Sequence, residues 1–123
     1  KYICEKYSEL FSIFDWAEIP ALKSSSGESS YHLYPLRIKN ISEKQRDKII
    51  AGIFDRNVSV NVHFIPLPMM SFYKKLGYKI KNYPTAYSNF SGEISLPVFY
   101  DLTDGQMETV VNAVIKSVEE VIG

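Results

Sequence analysis

The sequence predicts an α+β fold: an open sheet of three to four strands, covered on one face by two or three helices. Three observations predict it. Segments with helical apolar spacing are interleaved with short segments of strand spacing. Two Ser/Thr-x-x-Gln capping boxes, Ser42 with Gln45 and Thr103 with Gln106, mark helix starts. The 123 residues, 46% hydrophobic, suffice for one packed core but not for two ordinary domains.

The elements follow in chain order. Ile3, Tyr7, Leu10, Phe11 and Phe14 recur with the period of a helix that buries one stripe, which predicts a helix over 2–14. Residues 16–22 alternate loosely and contain Pro20, so they form at best a short edge strand. The serine-rich stretch 24–30 is a loop by composition. Residues 31–38 are rich in strand formers, but Pro35 cannot donate to a ladder, which predicts a strand with one open or bulged position. Behind the first capping box, Ile49, Ile50, Ile53 and Phe54 draw a helical stripe, and Asn57 suits the left-handed residue that ends it. Val58, Val60, Val62 and Phe64 alternate strictly with Ser59, Asn61 and His63, which predicts a strand over 58–65.

Pro66 and Pro68 end that strand. A short helix fits 69–78 before Gly77 stops it, and another fits 83–90 with Pro84 in its first turn. Ile94, Leu96, Val98 and Tyr100 alternate with Ser95, Pro97 and Phe99, a further strand made irregular by Pro97. The second capping box opens a helix over 104–122, with Met107, Val110, Val111, Val114, Val118, Val121 and Ile122 on its apolar side.

Composition excludes several classes. Fourteen basic residues balance fourteen acidic ones, so no global field attracts nucleic acid or an anionic membrane. No apolar run approaches the ~20 residues needed to span a bilayer. A single cysteine, Cys4, cannot form an internal disulfide and fits a reducing, cytoplasmic setting. The chain opens at Lys1 without an initiator methionine and enters an amphipathic pattern at once, as a piece of a longer protein or a trimmed start would.

No phosphate loop, H-E-x-x-H, C-x-x-C or serine elbow is present, and two histidines with one cysteine make a poor metal set. His63 is the most informative residue. It lies on the polar side of its predicted strand, near the end that leads into a loop, where ligand-contacting groups are common; a half-exposed, hydrogen-bonded histidine is the plain structural alternative. His32 reads first as a packing residue on a strand face. Arg37 can pair with a surface carboxylate or reach a ligand anion through its planar fork. The stretch 72–83 combines four lysines with aromatics, a composition that can bind phosphates, although net neutrality favours a solvated loop whose aromatics anchor it.

The wording itself is distinctive. Val60-Asn61-Val62-His63-Phe64-Ile65-Pro66-Leu67-Pro68, then Phe72-Tyr73-Lys74-Lys75-Leu76-Gly77-Tyr78, Tyr83-Pro84-Thr85-Ala86, Ile94-Ser95-Leu96-Pro97-Val98-Phe99-Tyr100 and Leu102-Thr103-Asp104 follow one another in a specific order. Together with Tyr31-His32-Leu33-Tyr34 and Arg37, they resemble the C-terminal region of the DegT/DnrJ/EryC1/StrS sugar aminotransferases over essentially the whole chain. The resemblance implies the small C-terminal domain of a fold-type I aminotransferase, with a mainly antiparallel sheet. It implies a pyridoxal 5'-phosphate (PLP) enzyme that moves an amino group, typically from glutamate, to a nucleotide-linked keto-hexose for cell-surface polysaccharides. It further implies a homodimer whose Schiff-base lysine and cofactor contacts lie in a large N-terminal domain.

No lysine motif of that kind occurs here, so the chain by itself is expected to hold neither a catalytic nor a cofactor-binding residue, and to be inactive. The resemblance places His63 near the sugar nucleotide, with Phe64 and Tyr73 as secondary contacts and Arg37 and His32 at longer range. One departure is Pro68, where many members of the family carry a second histidine. Two other readings fit the element order: a stand-alone ferredoxin-like or ACT-like binding or regulatory module, and a plain dimerisation domain.

Overall fold

The computed structural model describes residues 1–123. Its framework is a three-stranded antiparallel sheet in the order β1 (Ala17–Glu18), β4 (Tyr34–Ile38), β5 (Glu93–Leu96). Three helices, α1 (Tyr2–Phe11), α2 (Glu43–Asp55) and α5 (Asp104–Ile122), share one hydrophobic core with that sheet. Tyr34, Leu36 and Ile38 of β4 and Ile94 and Leu96 of β5 alternate into this core, as the two-residue period of a strand requires. They meet Tyr7 and Phe11 of α1, Ile49 and Ile53 of α2, and the valine stripe of α5. The α+β reading of the sequence is correct.

Both predicted capping boxes form. Ser42 Oγ accepts from the Gln45 N–H and Thr103 Oγ1 from the Gln106 N–H, while each glutamine side chain accepts from its cap's own N–H. Asn57, at φ 59°, takes the predicted left-handed conformation after α2. Helix α1 is shorter than predicted: it stops at Phe11, where the Ser12 N–H bonds Ser8 and the Ser12 hydroxyl bonds Glu9. Phe14 then stacks on Trp16, with ring centres 5.1 Å apart.

Pro35 is tolerated in the middle strand for a geometric reason. It lies opposite Ser95, whose own N–H and C=O are both bonded to Asn61, so the pair exchanges no main-chain bonds. The donor that proline lacks would face the β1 edge of β4, at a level β1 does not reach because it pairs only with Arg37 and Ile38.

Three further predictions are corrected. The serine-rich stretch is not wholly loop: β2 (Lys23–Ser24) and β3 (Gly27–Glu28) form a small antiparallel hairpin. Residues 58–65 do not form a strand; a single bridge, Asn61 to Ser95, is all that pairs. The reason lies in the donors. The Val62 N–H bonds the Asn61 side chain at 2.8 Å, and the His63 N–H bonds the Glu93 carboxylate at 2.9 Å. The His63 N–H is the donor that a ladder continuing from the Asn61–Ser95 bridge needs, and a side chain has taken it. The strand predicted over 94–100 likewise ends at Leu96.

Residues 61–89 contain no buried side chain. They form a 3-10 turn (Leu67–Met69), α3 (Ser71–Lys75), a second 3-10 turn (Ile80–Asn82) and α4 (Pro84–Ser91). Gly77, at φ +91°, turns the chain after α3 as a residue with a side chain rarely can. The return into β5 is tight. A Cβ on Gly92 would lie 2.6 Å from the Ile38 carbonyl oxygen, and buried Arg46 of α2 donates to the Phe90 carbonyl at 3.0 Å while its guanidinium lies over the Phe90 ring.

Candidate functional site

The sheet face opposite the helices carries the alternate residues: Pro35 and Arg37 of β4, Glu93 and Ser95 of β5. Over this face lie the 61–66 segment, α4 and the turn after β1, which enclose a cavity of about 480 Å³. That volume lies within the ~300–1,000 Å³ range of small-molecule sites. Arg37, His63, Phe64, Asn89 and Glu93 line it, with Pro20, Pro35 and Pro66 among its stiff walls.

Glu93 organises this site. It is 4% exposed, and its carboxylate accepts from the His63 N–H at 2.9 Å and from Ser95 Oγ at 2.5 Å. Ser95 Oγ in turn lies 2.8 Å from His63 Nδ1. Burial pushes the Glu93 carboxyl above the usual carboxylate range; the Ser95 hydroxyl, the His63 N–H and the nearby charges of His63 and Arg46 act in the opposite direction. The folded chain therefore binds this proton to higher pH than the unfolded chain. The resulting stability is fully present below the ordinary value of 4.5 and is lost as pH rises through the raised one. Glu93→Gln should remove that dependence. The wild-type urea midpoint should fall relative to the variant's from acid to neutral pH, and a constant difference would refute the assignment.

Arg37 lies opposite Glu93 in register without pairing with it. Its guanidinium pairs with Glu18 on β1 and donates to Asn89 Oδ1 of α4 at 2.6 Å. Being partly exposed, the ion pair adds little stability; its effect is to hold the planar fork beside the cavity.

The structure thus brings together three of the residues singled out in the sequence, Arg37, His63 and Phe64. It does not bring His32 or Tyr73 to this cavity. His32 is exposed and borders a separate shallow cleft with Tyr2, Tyr31 and Tyr100. Tyr73 sits on α3 between Phe72 and Tyr78, with ring centres 5.5 and 5.9 Å away. The aromatics of this stretch pack on one another rather than into the core, and Lys74, Lys75, Lys79 and Lys81 are all exposed. Sequence reasoning missed Glu93 and Asn89. The available signal for Glu93 was the strand period, which places it on the same face as Ser95.

No lysine is buried and none lines the cavity. No three His, Cys, Asp or Glu side chains stand close enough to hold a metal ion. No helix is long and apolar enough to cross a membrane.

Fold and cavity together describe a small α+β ligand-binding domain whose site lies on the sheet face opposite α1, α2 and α5, beneath the 61–66 segment and α4. The chain belongs to the DegT/DnrJ/EryC1/StrS aminotransferase family, whose model matches residues 1–115. It is 39% identical over 121 residues to an uncharacterised protein of Methanocaldococcus jannaschii, covering 96% of this chain and 31% of that protein. It is 28% identical over 94 residues to the UDP-4-amino-4,6-dideoxy-N-acetyl-beta-L-altrosamine transaminase of Campylobacter jejuni, covering 76% of this chain and 25% of that enzyme. A Streptococcus pneumoniae protein assigned as a sugar aminotransferase, solved in its PLP form, superposes with a TM-score of 0.93 at 33% identity, over 99% of this chain and 31% of its own. The chain therefore spans between a quarter and a third of these proteins.

Proposed function

We propose that this chain is the C-terminal, substrate-side domain of a PLP-dependent aminotransferase that moves an amino group from glutamate to a nucleotide-linked keto-hexose. The observation that carries the reading is the cavity: it offers hydrogen-bonding groups and an exposed aromatic ring, but no amine that could hold the cofactor. Family membership and the share of the relatives' length that the chain spans support the same division of labour.

The residues present do not fit PLP itself. A Schiff-base lysine needs a desolvated pocket to lower its pKa, and every lysine here is at least partly exposed. The cofactor, which supplies the electron sink, belongs in this reading to the remainder of the enzyme. His63 and Phe64 meet the sugar, Arg37 lies at longer range beside them, and the active enzyme is a homodimer. Tyr73, on α3, and His32, at the separate cleft, lie outside the cavity and act on the ligand only from a distance.

Mixed with PLP, the isolated chain should develop no stoichiometric absorbance of lysine-bound cofactor and no spectral change with glutamate. The full-length enzyme should show both, and a nucleotide-linked keto-hexose should reverse the change caused by glutamate. A glutamate-sensitive band in the isolated chain would overturn the reading, as would a full-length enzyme that no such sugar discharges.

A further inference from the structure

Glu93 is a buried carboxylate without an ion pair. Arg37 is directed to Glu18 and Asn89, and Arg46 reaches only the main-chain carbonyl of Glu93, at 3.4 Å. What holds the carboxylate is a pair of donors, the His63 N–H on one oxygen and the Ser95 hydroxyl on the other. Ser95 has one proton to give. If it goes to Glu93, Ser95 Oγ can only accept from the ring nitrogen 2.8 Å away, which requires the proton on His63 Nδ1. Nε2 makes no hydrogen bond to the protein, so in the neutral ring it carries a free lone pair in a residue that lines the cavity.

We propose that Glu93 is a positioning residue: through Ser95 it fixes His63 as the Nδ1–H tautomer, so that Nε2 meets the ligand as an acceptor for a sugar hydroxyl. The exposed Phe64 ring, edge-on to His63 with centres 4.7 Å apart, offers the adjoining apolar surface. The inference rests on the substrate-side reading above for the identity of the ligand, but the tautomer itself does not.

The isosteric variant Glu93→Gln gives a sharp test. A glutamine has one acceptor oxygen, and the His63 N–H needs it. The amide NH2 then faces Ser95 Oγ and donates to it, Ser95 turns its proton toward Nδ1, and the ring proton moves to Nε2. Imidazole nitrogen NMR of this chain at mildly alkaline pH reads the tautomer without any substrate, and a His32→Gln spectrum assigns the two rings. Wild type should show Nδ1–H, Glu93→Gln should shift to Nε2–H, and Ser95→Ala should lose the fixed preference. A wild-type ring in the Nε2–H form overturns the proposal, as does a Glu93→Gln ring that stays Nδ1–H. If Glu93→Gln fails to fold, judged by amide dispersion, wild type and Ser95→Ala decide: a fixed Nδ1–H ring in Ser95→Ala refutes the relay. Failure of the substrate reading would show instead as equal or absent losses in the two half-reactions of His63→Ala, with the wild-type ring still Nδ1–H.

Discussion

Under the proposed function, His63→Ala in the full-length enzyme should lower kcat/KM for the sugar nucleotide about tenfold and leave the half-reaction with glutamate within about twofold. Tenfold corresponds to ~1.4 kcal/mol, the upper part of the range for one net hydrogen bond. The asymmetry follows from geometry. His63 stands on the sheet face of a domain without a buried lysine, and its ring is held by Ser95 at one nitrogen and free at the other. A hydrogen bond to one substrate affects that substrate's half-reaction alone. Steady-state and single-turnover kinetics with each substrate check this. Equal losses in both half-reactions, or none in either, would return His63 to a structural role.

Tyr7→Ala should destabilise the chain by about 3–5 kcal/mol, the usual cost of deleting a buried aromatic ring and leaving a cavity. Tyr7 is fully buried at the centre of the core, with ring centres 5.2 Å from Tyr34 and 6.3 Å from Phe11. It joins α1 to the strand that carries Pro35 and Arg37, and its hydroxyl donates to the Pro97 carbonyl just after β5. Burial raises the phenol's pKa well above its ordinary value, so the hydroxyl stays neutral. Tyr7→Phe keeps the ring and loses only that bond, at a cost of about 1 kcal/mol. Urea unfolding of the two variants separates the terms. Similar losses for both would show that the hydroxyl, not the ring, anchors α1.

Helices were the most legible part of the fold because their signals are local. A capping box lies within four residues, and α5 begins and ends where its box and valine stripe indicate. The alternation over 58–65 misled for the opposite reason: apolar residues can alternate while a main-chain donor is claimed from elsewhere, here the His63 N–H by Glu93 thirty residues away. His63 and Arg37 could be singled out from residue type and position. For Glu93 the strand period indicates only the face it shares with Ser95; its part in the site comes from burial and from a pairing with His63 that no sequence spacing displays.

The α+β class, the helix starts, the edge character of the first strand and the family resemblance are all legible without a structure, because they depend on short-range patterns and their order. Only the tertiary structure decided which polar residues share a site. Antiparallel pairing places Glu93 opposite Arg37, a single bridge lays the 61–66 segment over Ser95, and α4 closes the side. A cavity is made by contacts between segments far apart in the chain, here 20–21, 35–37, 63–66 and 86–93, and such contacts leave no short-range pattern to read.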